Sequence, residues 1–433
     1  MKNSVIGLGK LGLPFALFLA SKNQNVMCCD SNEKIINKLK KNISPYIEPL
    51  TSEYLKKYNK RIVLEKNFDN LIKYSEITHL VLPTPSLKDN SFSNKYLIEC
   101  LDQLSESLLK YKNKSHIINI TSTVMPGSCE NIFCNFLKSK GLKNEKDFII
   151  TYNPHFIAQG TTIFNLENPD FVLIGSDSKR GKKLASFYKK IYKNDIKISL
   201  LNTKEAEITK ISINSYITTK ITFSNFISEV CENIKGVDAS IVLKTIGKDH
   251  RIGNSYLGVG TKYSGPCFPR DNKALDYFIK DKVTNSLPKF IDRINDSQSH
   301  RITKRIKKII FKEKLTKCSV GILGLTYKEK TSIIKNSQSH DLIKELRKQF
   351  KYSINTYDDN VEPDSQFLEK YKLLHFKDVK QFINKSKILI LMYPSKHFIK
   401  FLINTNKKII IDCWSIIDEK KTSSSVYKLG QYF

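Results

Sequence analysis

Ser4-Val5-Ile6-Gly7-Leu8-Gly9-Lys10-Leu11-Gly12 is the stretch that decides the fold of this chain. Val5-Ile6 reads as a short apolar strand, and Gly7, Gly9 and Gly12 stand at the G-x-G-x-x-G spacing. From Leu11 to Lys22 apolar residues recur at helical intervals, with Leu13, Phe15 or Leu17, and Leu19 facing a core. The glycines allow a tight turn, a close approach of backbone to a pyrophosphate, and packing of helix against strand. The N–H groups at such a helix start favour the anion. Val26-Met27-Cys28-Cys29 forms a second strand that ends in Asp30. That acid comes about 18 residues after Gly12, near the ~20 expected for a ribose-binding carboxylate. An acid there selects NAD over NADP, because a 2′-phosphate would meet like charge.

At 433 residues the chain is long enough for two or three domains. Its hydrophobic fraction of 40% suits a globular enzyme. No apolar run approaches the ~20 residues of a membrane span, so no membrane partner is expected. The first residues form a working strand rather than a cleavable leader, which predicts a cytoplasmic protein. Nine cysteines, scattered without metal-ligand spacing, fit a reducing compartment and predict no metal. Adjacent Cys28 and Cys29 are expected to pack rather than react. The net charge of +30 comes from lysine spread along the whole chain. Without a zinc-finger, helix-turn-helix or RNA-binding signature, it predicts no nucleic-acid partner. Its field would attract an anionic substrate and cofactor.

Strand and helix patterns alternate along the first half, as in a parallel doubly wound sheet. After Asp30 come a helix near Glu33–Lys41, a strand at Ile77–Leu82, a helix near Lys95–Leu109, and strands at His116–Ile120 and Phe148–Tyr152. Two hydroxyl-bearing loops, Pro83-Thr84-Pro85-Ser86 and Thr121-Ser122-Thr123-Val124-Met125-Pro126-Gly127, lie at strand ends, where such sheets bind ligands. Their hydroxyls serve equally well as helix caps. From about Asn202 to Phe311 the texture turns helical, with one helix predicted over Glu205–Lys235 that joins two domains and offers a face for a dimer. A second α/β unit follows. Its first strand-turn is Val320–Gly324, with a helix at Asp341–Phe350 and strands at Ser353–Tyr357, Lys387–Met392 and Lys408–Asp412. The fold class is α/β, with two Rossmann-like doubly wound sheets joined by a central helical domain with a long connecting helix. The expected domains are 1–200, which carries the dinucleotide turn, 201–312, the helical stretch, and 313–433, the second α/β unit.

One further stretch bears on chemistry: Tyr263-Ser264-Gly265-Pro266-Cys267-Phe268-Pro269-Arg270-Asp271. A single cysteine sits among turn formers, with a carboxylate four residues later. A redox cofactor with a poised thiol points to oxidation through a covalent sulfur adduct. The plainer reading, a small buried hydrophobe, suits Cys231 or Cys318 better.

These residues together resemble the UDP-glucose/GDP-mannose dehydrogenases, nucleotide-sugar 6-dehydrogenases. The resemblance runs along nearly the whole chain. It takes in the N-terminal turn, Pro83-Thr84-Pro85, Ser122–Gly127, Asn153-Pro154-His155-Phe156-Ile157-Ala158-Gln159-Gly160, Glu207-Ile208-Thr209-Lys210 with Asn214, Arg251-Ile252-Gly253-Asn254, the Cys267 stretch and Gly324-Leu325-Thr326-Tyr327-Lys328. It implies oxidation of a sugar C6 alcohol to a carboxylate with NAD and one enzyme thiol, and a homodimer. UDP-glucose is the expected substrate. A UDP-N-acetylhexosamine or GDP-mannose is the alternative, and a non-catalytic nucleotide-sugar-binding protein is the reading from another class.

By the same resemblance, Cys267 is the nucleophile, and Lys210 and Asn214 stabilise C6 oxyanions. Asp271 and Thr123 order water. Gly7, Gly9, Gly12, Asp30, Lys34, Thr84 and Lys335 are placed with the cofactor. Phe156, Ile157, Lys210, Asn214, Arg251, Tyr256, Gly265 and Lys328 are placed with the substrate, and Arg251 reaches that of a neighbouring subunit. The chain departs from the family pattern at several points. His155 stands where the glucose-oxidising branch has an acid, and Gln159 replaces a later one. Asp412-Cys413-Trp414 lacks the arginine of Asp-x-Arg. Ile333-Ile334 replace an acidic position, and Lys335 replaces an arginine, keeping the charge without the bidentate fork. His155 therefore reads either as a base with a pKa nearer neutrality, roughly 6.5 if unperturbed, or as a residue that shapes the sugar pocket.

Overall fold

A computed structural model describes residues 1–111, 115–316 and 318–433. These group into two compact units, Met1–Ile213 and Asn214–Phe433. No helix among the described residues is long and apolar enough to cross a membrane.

In the first unit the described strands are β1 (Asn3–Ile6), β2 (Val26–Cys29), β3 (Ile62–Leu64), β4 (Ile77–Leu80), β5 (His116–Ile120), β6 (Phe148–Tyr152), β7 (Val172–Gly175) and β8 (Ile198–Leu201). They lie in the order β3-β2-β1-β4-β5-β6-β7-β8. Neighbours are parallel except at a single antiparallel pairing of Tyr152 with Gly175. The central strands are buried throughout, which is why they read as near-continuous apolar runs. β4 ends two residues before Leu82, because the chain turns there into the Thr84 loop. β3, β7 and β8 add to the strands expected from the sequence. β3 and β8 are only partly buried, so their apolar signal is weak.

Polar side chains form a row across one face of this sheet. Thr151 donates to Asn119 Oδ1 at 2.7 Å, Asn119 Nδ2 lies 2.9 Å from His79 Nδ1, and His79 Nε2 lies 3.2 Å from Asn3 Oδ1. All four residues are fully buried. His79 and Asn119 are register partners, as are Asn119 and Thr151. The amide fixes the ring tautomer: Nδ1 accepts and Nε2 carries the proton.

In the second unit the strands are β9 (Ser319–Leu323), β10 (Ser353–Tyr357), β11 (Leu373–His375), β12 (Ile388–Leu391), β13 (Ile409–Asp412) and β14 (Ser425–Lys428). All pair in parallel, in the order β11-β10-β9-β12-β13-β14. The first turn of each sheet is built alike. Gly7 and Gly324 both have positive φ, +92° and +96°. Gly7 N–H donates to Cys29 O at 2.8 Å, and Gly324 N–H to Tyr357 O at 2.9 Å. Leu8 N–H donates to Asp30 Oδ2 and Leu325 N–H to Asp358 Oδ2, both at 2.6 Å. Each acid also accepts the N–H two residues on, from Asn32 and Asn360, at 2.7 Å.

The helical stretch contains Thr203–Cys231, Ala239–Ile246, Phe268–Ile279 and Leu287–Lys312. The long helix starts two residues before the expected Glu205 and stops at Cys231 rather than Lys235. The expected Asp341–Phe350 helix is Gln338–Gln349. Ser337 caps it by accepting the His340 N–H, which moves its start three residues upstream.

Candidate active site

In the first unit, the glycine turn is shaped for a close ligand. A Cβ at Gly7 would lie 2.4 Å from Val81 O, and one at Gly12 only 1.8 Å from Gly7 O, whereas a Cβ at Gly9 meets nothing within 4 Å. Gly7 and Gly12 therefore serve internal packing, and Gly9 leaves open space. The helix Gly12–Ser21 begins without a side-chain cap. Its positive end and the space over Gly9 fit the pyrophosphate of a dinucleotide. Asp30 spends one contact of each oxygen on the turn and keeps further acceptor capacity for a ribose. Lys34 is exposed on the helix that follows.

The two hydroxyl loops are laced together. Thr84, almost fully buried, donates to Thr123 O at 2.7 Å, and Ser122 Oγ donates to Leu82 O at 2.6 Å while accepting the Leu82 N–H at 2.9 Å. Thr123 itself is half-buried. The loop's far end is held by Glu207, to which its sequence motif assigns no role of its own. This fully buried acid accepts the N–H groups of Gly127 at 2.5 Å and Cys129 at 2.8 Å. Desolvation raises its pKa, and those bonds pull the other way.

One turn along the same helix, Lys210 Nζ lies 3.4 Å from His155 O and 4.6 Å from the centroid of the Phe156 ring. Lys210 is thus not a solvated surface lysine; only 8% of it is exposed. Asn153 anchors the loop it touches, donating to Leu173 O at 2.7 Å and accepting from Tyr188 at 2.5 Å. Ile157 packs against the apolar core behind that loop. His155 differs from the near-neutral expectation. Burial, and then the charge of Lys210, push its pKa down to about 3. Its ring sits 4.6 Å from that of Phe15, and its Nε2 is buried without a hydrogen-bond partner. The ring is therefore neutral at every physiological pH.

In the second unit, Cys267 is exposed, while seven of the nine cysteines, Cys28, Cys29 and Cys231 among them, are buried. It occupies the N-cap of Phe268–Ile279, with proline in the first turn, so its sulfur sits at the positive end of a helix. Asp271, one turn on, is 2% exposed and accepts from Asn214 Nδ2 at 2.6 Å and Arg270 Nε at 3.2 Å. Acid and amide are thereby fixed to each other one helical turn from the cysteine. Lys210 and Asn214, at i and i+4, share one side of the long helix.

Gly265 adopts φ +84°, and a Cβ there would enter the Tyr327 ring at 2.6 Å. Lys328 Nζ lies 5.8 Å from the same ring's centroid. Tyr256 is exposed at φ +64° and stacks edge-on to Phe268. Arg251 is held in its own loop by a bidentate pair with Asp249, Nη2 to Oδ2 at 2.6 Å. Lys335 is exposed on the loop before Ser337. Trp414 is half-buried over Gly260.

Three segments match the three domains of the UDP-glucose/GDP-mannose dehydrogenase family: the NAD binding domain over residues 1–196, the central domain over 204–297, and the UDP binding domain over 321–419. UDP-glucose 6-dehydrogenase of Rickettsia bellii is 32% identical over 351 residues, covering 80% of this chain and 78% of the relative. That of Rickettsia felis is 28% identical over 99% of this chain and 96% of its own length. Among solved structures, a UDP-glucose dehydrogenase from Pyrobaculum islandicum shares the fold with a TM-score of 0.84 at 22% identity, covering 100% of this chain and 98% of its own. A UDP-D-ManNAc dehydrogenase from Pyrococcus horikoshii does so with a TM-score of 0.82 at 22% identity, over 100% and 99%.

Proposed function

Since the chain belongs to the UDP-glucose/GDP-mannose dehydrogenase family, and so is an NAD-dependent nucleotide-sugar 6-dehydrogenase, we propose that it oxidises C6 of UDP-glucose and holds the sugar on Cys267 between the two oxidations. The observation that carries this reading is the exposed Cys267 at a helix N-terminus, one turn from a buried Asp271 fixed by Asn214. NAD, held at the turn around Gly9 with Asp30 at its ribose, would supply the hydride acceptor for both oxidations. In the first, the alcohol also loses a proton and becomes an aldehyde. The Cys267 sulfur then adds to the aldehyde carbon, and the thiol proton goes to the oxygen, giving a thiohemiacetal. Loss of a hydride and a proton converts this adduct to a thioester. Water breaks the C–S bond, releasing the carboxylate and restoring the thiol.

Lys210 and Asn214 donate to the oxygen of C6 as charge develops there. Asp271, with Thr123, positions the water. His155 contributes its carbonyl, which orients Lys210, and a neutral ring that shapes the sugar site. We assign the cofactor to residues 1–200, the catalytic helices to 201–312 and the UDP-sugar, through Lys328 and Gly265, to 313–433 with the adjoining loop. A homodimer is supported by the exposed apolar stripe Tyr216, Phe223, Phe226 and Val230 on the long helix. In it Arg251 would exchange Asp249 for the partner's substrate. The buried thiols fit a cytoplasmic setting. Trp414, in place of an arginine, favours a second reading in which the sugar is a UDP-N-acetylhexosamine.

The test is turnover with NAD and a panel of UDP-glucose, UDP-N-acetylhexosamines and GDP-mannose, reading NADH and product mass. About two NADH per uronic acid from UDP-glucose are expected, with steady-state turnover lost in Cys267→Ala. Normal turnover in that variant removes the thiol from the mechanism.

A further inference from the structure

The loop that ends in Cys267 is fastened to the rim of the second sheet by side chains that no catalytic step uses. Ser264, three residues before the thiol, donates to Gln338 Oε1 at 2.6 Å. The same amide spends its two N–H groups on the carbonyls of Tyr327 and Met392, each at 3.1 Å. Gln338 is only 2% exposed. Tyr327 lies in the loop after β9, and Met392 follows β12 directly. Those two strands are where the strand order of this sheet reverses. The crevice outside the carboxyl ends of such a strand pair is where open parallel sheets bind ligands. One amide thus ties both lips of that crevice to the thiol loop. Its orientation is fixed, since a flip would set its oxygen against two carbonyls.

Further ties remove the slack. Lys262 Nζ, whose side chain is 10% exposed, pairs with Asp341 at 2.8 Å and Asp296 at 2.9 Å. Asn295 accepts the Tyr263 N–H at 2.8 Å and donates to its carbonyl at 3.1 Å. Gly265 lies against the Tyr327 ring and Gly260 under Trp414. The segment from Gly260 to Cys267 is thereby held from two sides, by the rim of the second sheet and by the Leu287–Lys312 helix.

We propose that Gln338 is a positioning residue that transmits occupancy of the β9/β12 crevice by a nucleoside diphosphate, through Ser264, to the placement of the Cys267 thiol. The inference rests on the reading that a UDP-sugar binds this unit. It adds that the nucleotide half of the substrate sets the nucleophile before chemistry begins.

The experiment follows alkylation of Cys267 by iodoacetamide, read on its own peptide by mass spectrometry in the full-length protein, with and without UDP. In the unmodified protein UDP should slow alkylation about threefold or more. In Ser264→Ala, which removes one hydroxyl and leaves Gln338's other bonds intact, UDP should bind within about threefold of normal by calorimetry while its effect on alkylation disappears. In the same variant kcat should fall about tenfold with KM for UDP-glucose little changed. Ser264→Thr, which keeps the hydroxyl, should restore both, and Gln338→Leu should repeat the Ser264→Ala result. If UDP protects Cys267 equally in Ser264→Ala, the protection is direct shielding and the inference is overturned, while the activity reading stands. If the unmodified protein neither binds UDP nor turns over UDP-glucose, both are overturned.

Discussion

Replacing Gly9 and Gly12 separately by alanine should part cofactor binding from folding. At residue 12 the new methyl would lie 1.8 Å from a backbone oxygen, and backbone atoms cannot swing aside as a side chain does. Reaching an ordinary contact near 3.5 Å requires the helix start to withdraw by roughly 1.7 Å. Overpacking of that kind costs about 3 kcal/mol. For a unit of 150–250 residues that corresponds to a drop in Tm of roughly 6–12 °C. At residue 9 the methyl meets nothing within 4 Å and the backbone has no positive φ, so folding should be unharmed. A small gain of about 0.4–1 kcal/mol is expected from the less flexible unfolded chain.

The Gly9 methyl does fill the space a pyrophosphate must enter. NAD affinity should therefore weaken at least tenfold, about 1.4 kcal/mol or more. Thermal melting by circular dichroism and titration calorimetry with NAD measure the two quantities. Normal NAD binding by Gly9→Ala, or melting as early as that of Gly12→Ala, would refute this division of roles between the two glycines.

Three other outcomes follow from the geometry. Glu207→Ala leaves the buried N–H groups of Gly127 and Cys129 unpaired and should cost about 2–5 kcal/mol in urea unfolding; a loss under about 1 kcal/mol means the loop finds other partners. His79 and His155 both have folded-state pKa values lowered by burial to about 3, far below their unfolded value near 6.5. Unfolding therefore takes up protons below about pH 6.5, so stability present above that pH should drain away as pH falls toward 3, and His155→Gln should flatten the slope; a slope unchanged in that variant refutes the assignment. Asp30→Asn should cut kcat/KM for NAD about tenfold and narrow the preference over NADP, and equal use of both cofactors by the unmodified protein contradicts the role of that acid.

Much of this was legible in the sequence because the deciding features are local. The strands His116–Ile120 and Phe148–Tyr152 end where their apolar runs end. The glycine turn and Asp30 announce themselves by spacing. What escaped depends on contacts between distant residues. The second sheet repeats the main bonds of the first sheet's turn, yet Gly324-Leu325-Thr326-Tyr327-Lys328 lacks the later glycines, so the likeness shows in the paired glycines Gly7 and Gly324 and the bonded acids Asp30 and Asp358. Glu207 looks like any helix-surface acid until the Gly127 loop is folded onto it. Gln338 precedes the helix start read from the sequence, and its partners Tyr327, Met392 and Ser264 lie 11, 54 and 74 residues away. His155 carries no sign in the sequence that Lys210 and Phe15 will hold it uncharged.

The buried row Asn3, His79, Asn119 and Thr151 has a consequence for how the first sheet assembles. Its members come from β1, β4, β5 and β6, strands that must find one another across long intervals of chain, the slow kind of pairing. Apolar runs alone would tolerate a misalignment, since isoleucine can pack beside isoleucine in many ways. A strand displaced by one residue turns its polar member to the opposite face. It then parts a buried donor or acceptor from its partner, at roughly 1–3 kcal/mol for each one lost. The row works as a checksum on the sheet: only one alignment of four strands satisfies every atom, and the loops that carry the cofactor turn, Thr84, Thr123 and His155 all start from the ends of strands aligned that way.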